Sequence, residues 1–160
     1  MENIKLENNT IRLLPSKIER PKSYINLDVK EKATDKIMLE IYTEGENLID
    51  GNLKIRCNLI ENNVSDEYIK EAIEIFLNFC FCSIPINKVY YEAYQNENNL
   101  IKNLMKIGFK IEADLKEDFY VEGRYVDKII LAYYRSIGGW VKHGKYKMEE
   151  YRINWIKKWR

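Results

Sequence analysis

Three side chains on two short apolar segments could carry out acid–base chemistry. Glu40 lies in Lys36–Thr43 and Glu92 lies in Lys88–Tyr94, and both segments have the β-branched, partly alternating pattern of strands. A strand carboxylate could act as a general base, directly or through a water, and the hydroxyl of Tyr94 could act as a general acid. The alternative for each glutamate is a solvated or ion-paired side chain, and the alternative for Tyr94 is packing.

Strands must position these side chains, and the pattern predicts several more. In Asn52–Ile60 four apolar residues share one face: Leu53, Ile55, Cys57 and Leu59. We expect strands at Thr10–Leu14, Lys36–Thr43, Asn52–Ile60, Lys88–Tyr94, Phe109–Ala113, Leu115–Val121 and Tyr125–Tyr134, the last two forming a hairpin about Glu122-Gly123-Arg124. The segment Ser16–Thr34 contains Pro21 and mixed charges, and is expected to hold at most one short helix.

Two helices separate the strands. Ser65 is a good N-cap for a helix that ends near Ser83, before Pro85. A second helix follows the polar cluster at 95–99 and ends at Gly108. The strand, helix and strand from Asn52 to Tyr94 form a βαβ unit, in which the two strands are expected to be parallel. The sequence therefore predicts an α/β domain with a mixed sheet.

Composition excludes several classes of protein. The 160 residues contain 46% hydrophobic and 32% charged residues, which excludes a disordered or fibrous chain. No apolar run approaches the roughly 20 residues of a membrane span, and the first residues have no signal-peptide core. Three cysteines without paired spacing predict neither a disulfide framework nor a metal site. We expect a cytoplasmic protein.

The charge is distributed unevenly, although the net charge is +1. From Gly138 onward there are seven basic and two acidic side chains, and Met148, Tyr151, Trp155 and Trp159 have helical spacing. We therefore divide the chain into a domain at 1–136 and a basic, aromatic, helical appendage at 137–160. The appendage could dock on the domain or form a contact with a second copy or another protein. It could also contact an anionic membrane or nucleic acid.

Several motifs in the second half of the chain resemble the GNAT acetyltransferase superfamily, and in particular its ribosomal-protein and spermidine acetyltransferase branch. The resemblance covers about Asp66 to Tyr134. Its motifs are Asn98–Phe109 with the following acidic strand to Glu117, the hairpin Tyr120–Asp127, Phe79–Phe81 and Asn87–Tyr90.

The resemblance implies a strongly twisted mixed sheet flanked by helices, in which two parallel strands splay apart and acetyl-CoA lies in the opening. It implies direct attack of an amine on the thioester, which needs a deprotonated amine, a donor for the thioester oxygen and an acid for the thiolate. Glu92 corresponds to a glutamate that is common in the family, where a structural role is more usual.

The chain departs from the family where the diphosphate of acetyl-CoA should bind. The family has a glycine-rich loop there, whereas Glu61–Tyr68 contains neither glycine nor a basic residue. Asp66 and Glu67 lie where the phosphates should be, and each like-charge contact at about 5 Å would cost on the order of 3 kcal/mol at an effective dielectric constant of 20. The remaining candidates for binding are Asn62, Asn63 and the backbone amides of Val64 and Ser65.

Two further positions differ from the family. Leu104 replaces a tyrosine that often serves as the general acid, and Glu97 replaces an asparagine, so that only a slip of one residue brings in Asn96 or Asn98. The resemblance thus implies an acyl-CoA-dependent N-acyltransferase for an amine acceptor, with acetyl-CoA as co-substrate and no metal. The alternative is a catalytically silent GNAT-fold scaffold or binding subunit that has lost acetyl-CoA binding.

Overall fold

A computed structural model describes residues 6–47 and 49–135, so the appendage at 137–160 lies outside the described residues. Eight strands and two helices follow one another in these ranges. In chain order they are β1 (Leu6–Glu7), β2 (Ile11–Pro15), β3 (Asn26–Glu31), β4 (Ile37–Asn47), β5 (Asn52–Leu59), α1 (Asp66–Ser83), β6 (Lys88–Tyr94), α2 (Asn98–Ile107), β7 (Lys110–Val121) and β8 (Arg124–Tyr134).

The strands form one mixed sheet in the order β1-β2-β3-β4-β5-β6-β8-β7. Strands β5 and β6 are parallel and are joined through α1, as the predicted βαβ unit requires. The other neighbouring pairs are antiparallel. The predicted mixed sheet with two flanking helices is therefore confirmed.

The strand β3 corrects the prediction of at most one short helix in Ser16–Thr34. Only Leu27 and Val29 in β3 point into the core, so the strand is short of apolar residues. Its backbone pairs with β2 on one side and β4 on the other, and these hydrogen bonds stabilise the strand despite its few apolar residues. Pairing with neighbours outweighs the weak local propensity of this segment.

The helix boundaries agree with the predicted capping residues. The Ser65 side chain accepts a hydrogen bond from the backbone N–H of Tyr68 at the start of α1. Gly108, with φ of 122°, ends α2, and a Cβ atom there would lie 3.2 Å from the ring of Tyr133. The β7–β8 turn has positive φ at both Glu122 and Gly123, as a two-residue hairpin turn requires.

One face of the sheet packs against both helices. The buried cluster joins apolar residues of α1 and α2 to every second residue of the strands, for example Leu39, Ile41 and Ile55. Leu59 was predicted on this face but is 45% exposed, because it lies at the end of β5. The residues between these point to the opposite face, which carries Glu40, Arg56, Glu92 and Tyr94.

No helix of the described residues is long and apolar enough to cross a membrane.

Candidate functional site

The sheet opens between its two parallel strands. Backbone pairing of β5 with β6 extends over only three residues, Asn52 to Lys54 on one strand and Lys88 to Tyr90 on the other. Beyond this point β5 continues beside β4, and β6 continues beside β8. The sheet is therefore divided into two halves that are joined at one end of β5 and β6 and separated at the other, with an opening between them.

Arg56 of β5 bridges this opening. Its Nη1 donates a hydrogen bond of 2.8 Å to the carbonyl oxygen of Glu92 on β6, across the gap where the two backbones no longer pair. Its Nε donates to a carboxylate oxygen of Glu44 at 3.2 Å, and its Nη2 lies 3.5 Å from the hydroxyl of Tyr94. The guanidinium carbon also lies 5.5 Å from the ring centre of Tyr91 and 5.4 Å from that of Tyr94.

Electrostatics keep Arg56 charged in this position. Its side chain is only 16% exposed. Burial by itself would lower the pKa of Arg56, but the contact with Tyr94 and the negative charge of Glu44 outweigh burial, so that the pKa is raised. The guanidinium is thus a permanent cation between the two strands.

Glu92 belongs to the same group of charges. Its carboxylate accepts a hydrogen bond of 2.8 Å from Nζ of Lys54, which also lies 3.3 Å from Glu44. Burial would lower the pKa of Lys54, but the hydrogen bond and charge of Glu92 raise it overall. Glu92 is therefore an ion-paired carboxylate at the opening. An ion-paired side chain was the alternative to a general base that the sequence left open for this residue.

Tyr94 lies at the far end of β6. Its ring packs against Phe119 of the β7–β8 hairpin with 4.9 Å between ring centres, and its hydroxyl lies near Arg56. Of the three candidate catalytic residues, Glu92 and Tyr94 are thus both in contact with Arg56, the first through its backbone and the second through its hydroxyl.

Glu40 is held separately by an ion pair of its own. It lies on β4, and its side chain is 3% exposed. Nη2 of Arg20 donates a hydrogen bond of 2.7 Å to its carboxylate, while the same guanidinium lies 4.0 Å from the ring centre of Tyr42. The carboxylate is thus buried and engaged by Arg20, which favours a structural role for Glu40.

The helix side of the opening is closed by a buried tyrosine and a glutamate. The Tyr91 hydroxyl donates a hydrogen bond of 2.9 Å to Glu97, and the second oxygen of Glu97 accepts from the backbone N–H of Tyr94. Burial, and then the charge of Glu97, raises the pKa of the Cys57 thiol to about 12. Burial likewise raises the pKa of Tyr91. Both groups stay protonated at neutral pH.

The N-terminus of α1 is tied to α2. Oδ1 of Asp66 accepts hydrogen bonds from the side-chain amides of Asn99, at 3.2 Å, and Asn103, at 3.0 Å. These bonds, that of Asn103 first, lower the pKa of Asp66. The carboxylate predicted near the phosphates is therefore present and ionised, and it links the two helices.

The four predicted loop residues lie together before α1. Asn62, Asn63 and Ser65 are exposed, and Val64 packs against the core. The two asparagines help to line an open cavity of about 330 Å³, to which the β3–β4 connection contributes Lys36.

Asn96 and Asn98 are both exposed, in the turn after β6 and at the first position of α2. The partly buried position between them is filled by Glu97, whose two hydrogen bonds were described above. No group of three or more histidine, cysteine, aspartate or glutamate side chains in residues 6–47 and 49–135 could hold a metal ion.

Comparison with known proteins identifies the architecture. No protein-family model matches the chain, and a search of curated proteins finds no match. Solved structures do match. The N-terminal domain of a ribosomal-protein-alanine acetyltransferase from Clostridium acetobutylicum superposes with a TM-score of 0.62 and 18% identity, covering 81% of this chain and 95% of that one. The chain has the GNAT fold.

Two further structures give the same result. A putative acetyltransferase from Sphaerobacter thermophilus matches with a TM-score of 0.60 and 14% identity, covering 84% of this chain and all of that one. A dodecameric spermidine N-acetyltransferase from Vibrio cholerae matches with a TM-score of 0.61 and 16% identity, covering 79% of this chain and 66% of that one. The resemblance stated from the sequence motifs is therefore confirmed for the fold.

Sequence reasoning missed two groups at this site. Arg56 and Lys54 were not singled out, although they occupy the polar positions of a cleanly alternating strand. That alternation was the available signal. Asn99 and Asn103 were also missed. Both donate hydrogen bonds to Asp66, which lies 33 or more residues earlier in the chain, and no pattern of neighbouring residues indicates that contact.

Proposed function

We propose that the chain is an acyl-CoA-dependent N-acyltransferase that transfers an acetyl group to an amine. One observation supports the proposal above all: in this GNAT fold, the parallel strands β5 and β6 stop pairing after Lys54 and Tyr90. Strand edges that do not pair with each other offer backbone donors and acceptors to an extended, amide-containing arm such as that of acetyl-CoA. When bound, acetyl-CoA would supply an activated acyl group as a thioester.

The two ends of such a ligand meet different environments in this chain. The opening suits the amide-containing arm, but the residues before α1 do not suit a diphosphate. The hydroxyl of Ser65 already binds the first turn of the helix, and the ionised Asp66 lies beside it. A helix N-terminus attracts anions, but here its own acidic residues take that role. We therefore expect weak binding, with Asn62, Asn63 and the amides of Val64 and Ser65 as the remaining contacts.

The residues at the opening suggest roles on the acceptor side. Lys54 and Arg56 balance the charges of Glu92 and the neighbouring Glu44, so a cationic amine would bind these carboxylates after one of the two cations moves away. Glu92 could then accept the proton of the amine through a water. The hydroxyl of Tyr94 could donate a proton to the leaving thiolate. We assign Glu40 a structural role, since its carboxylate on β4 binds Arg20 and fixes the segment before β3 against the sheet.

The alternative is a catalytically silent scaffold with the same fold, and one specific observation favours it. Asp66, at the start of α1, accepts hydrogen bonds from Asn99 and Asn103 in the first two turns of α2. This link keeps negative charge where the phosphates would bind. A domain that had lost acetyl-CoA would be free to keep such a link, because no ligand would compete with it.

Titration calorimetry with acetyl-CoA separates the two functions. We expect millimolar or tighter binding by the full chain. Asp66→Asn should bind about tenfold more tightly, since the change removes an exposed like charge near the phosphates. Asp114→Asn, which changes a comparably exposed carboxylate on the edge strand β7, is the matched control and should bind like the unaltered chain. Absence of heat at millimolar acetyl-CoA in all three proteins would end the acyltransferase proposal and leave the scaffold.

Location and assembly remain predictions. We expect a cytoplasmic protein whose appendage at 137–160 contributes to self-association or to a partner contact. Truncation after Ser136, followed by light scattering on the full and shortened chains, tests the assembly. If the full and shortened chains form assemblies with the same number of copies, the appendage is not part of an interface between copies.

A further inference from the structure

Arg56 is surrounded as a bound organic cation would be. A carboxylate, a backbone carbonyl and two aromatic rings meet its guanidinium: Glu44, the carbonyl of Glu92, and the rings of Tyr91 and Tyr94. Carboxylates and carbonyls accept the N–H groups of a cation, and the faces of aromatic rings attract its charge. We propose that these groups form a binding site for an alkylammonium or alkylguanidinium ion, and that Arg56 fills this site from within the chain.

The charges around the site favour a cation once Arg56 is removed. Two carboxylates, Glu44 and Glu92, and two cations, Lys54 and Arg56, contact one another. With all four present the group is neutral, and without Arg56 it carries one net negative charge. The carbonyl of Glu92 and the rings then face a vacancy that has the shape and charge of a guanidinium.

The position of Arg56 gives the contact a consequence for activity. This step rests on the proposed acyltransferase function. The guanidinium spans β5 and β6 on the face of the sheet away from the helices, where an amine would have to approach the opening. An amine acceptor must therefore displace Arg56 from the partners that recognise cations. The contact is autoinhibitory, and a cationic acceptor competes with it.

Chemical rescue of Arg56→Ala tests the site without acetyl-CoA. Thermal unfolding of the full chain is followed by circular dichroism in up to 20 mM methylguanidinium chloride, with sodium chloride at equal ionic strength as reference. Arg56→Ala should unfold several degrees below the unaltered chain. Methylguanidinium at 20 mM should raise its Tm by about 4 °C, and above about 1 mM the rise should follow the logarithm of its concentration, as expected for a dissociation constant near 1 mM. This concentration is too low to denature.

Two proteins serve as controls. The unaltered chain, whose site is filled, should shift by less than about 0.5 °C. Arg12→Ala removes a guanidinium from a more exposed pair with Glu7, at 3.2 Å, and should likewise show no rescue. Equal shifts in all three proteins, or no shift in Arg56→Ala, would overturn the proposal.

A folding defect does not remove the test. Should Arg56→Ala be insoluble, Arg56→Val offers a side chain with high strand propensity for the same measurement. Should both be insoluble, each is refolded with and without methylguanidinium, and the site requires that folded protein is recovered only with it. Recovery in neither condition counts against the proposal.

The rescue experiment and the acetyl-CoA titration can fail independently, so the cation site and the proposed function are tested separately. Rescue by methylguanidinium in a chain that does not bind acetyl-CoA keeps the cation site and refutes the acyltransferase. Acetyl-CoA binding without rescue keeps the acyltransferase and refutes the cation site.

Discussion

Replacing Arg20 by alanine should destabilise the chain strongly, because it leaves a buried carboxylate without its cation. Glu40 is 3% exposed and lies 2.7 Å from the guanidinium, which is itself 27% exposed. At this distance the attraction is roughly 6 kcal/mol for an effective dielectric constant of 20, before the cost of removing both charges from water. Removing one partner of a buried pair costs about 3–5 kcal/mol, and the partial exposure of Arg20 points to the lower end. The ring of Tyr42 would also lose a cation at 4.0 Å.

We therefore expect a loss of about 3 kcal/mol for Arg20→Ala at pH 7, equivalent to a fall in Tm of about 6–12 °C. The free energy of unfolding is measured by urea titration with far-ultraviolet circular dichroism on the full chain. Arg12→Ala is the matched control, because it removes an arginine from a more exposed pair, and it should cost less than about 1 kcal/mol. The double variant Arg20→Ala with Glu40→Gln should recover part of the loss, since the buried charge is then absent.

Equal losses for Arg20→Ala and Arg12→Ala would refute this reasoning. They would mean that Glu40 reaches water readily or that another cation replaces Arg20. In the first case Glu40 would be available for proton transfer, and its role as a catalytic base, predicted from the sequence, would return.

Three further outcomes are expected. Gly108→Ala should cost about 1 kcal/mol more than Gly123→Ala, because both have positive φ but only the first would meet a side chain within 4 Å; urea titration checks this difference. Cys57 should resist alkylation at pH 8 in the folded chain and react after unfolding, because its pKa of about 12 keeps it protonated, as peptide mass mapping would show. A hydrogen bond from Thr34, above all, lowers the pKa of Glu31 in the folded state, so its stabilisation is present above pH about 4.3 and is lost as the pH falls through the lowered value. Glu31→Gln should therefore be less stable than the unaltered chain at pH 7 and equal to it in strong acid, and a difference that persists in acid would contradict the linkage.

Local signals predicted most of the fold. Alternation in β5 and β6, the capping serine of α1 and the glycine after α2 each act within a few residues, so their effects can be read along the chain. The hairpin was predicted about Glu122-Gly123-Arg124, and the structure confines its turn to Glu122 and Gly123, which both have positive φ. The strand β3 was not predicted, because its stability comes from two neighbours rather than from its own pattern.

The candidate site was predicted only in part. Glu92 and Tyr94 do lie at the opening, and Asp66 does lie at the start of α1, as their positions on the chain required. Glu40 was also placed on the correct strand, but its partner Arg20 comes from the segment that could not be interpreted. The catalytic and cofactor roles given to these residues stay predictions.

The sequence by itself determined which elements form and which faces of them are apolar, because hydrophobic periodicity and capping are properties of neighbouring residues. The resemblance implied that two parallel strands splay apart, but only the tertiary structure decided where β5 and β6 part, that Arg56 spans the gap, and that Asp66 joins two helices. Each of these depends on groups between 33 and 37 residues apart that meet only when the sheet has formed. Contacts of this kind leave no pattern among neighbouring residues, because the burial and the charge that stabilise them exist only after distant segments have come together in the folded chain.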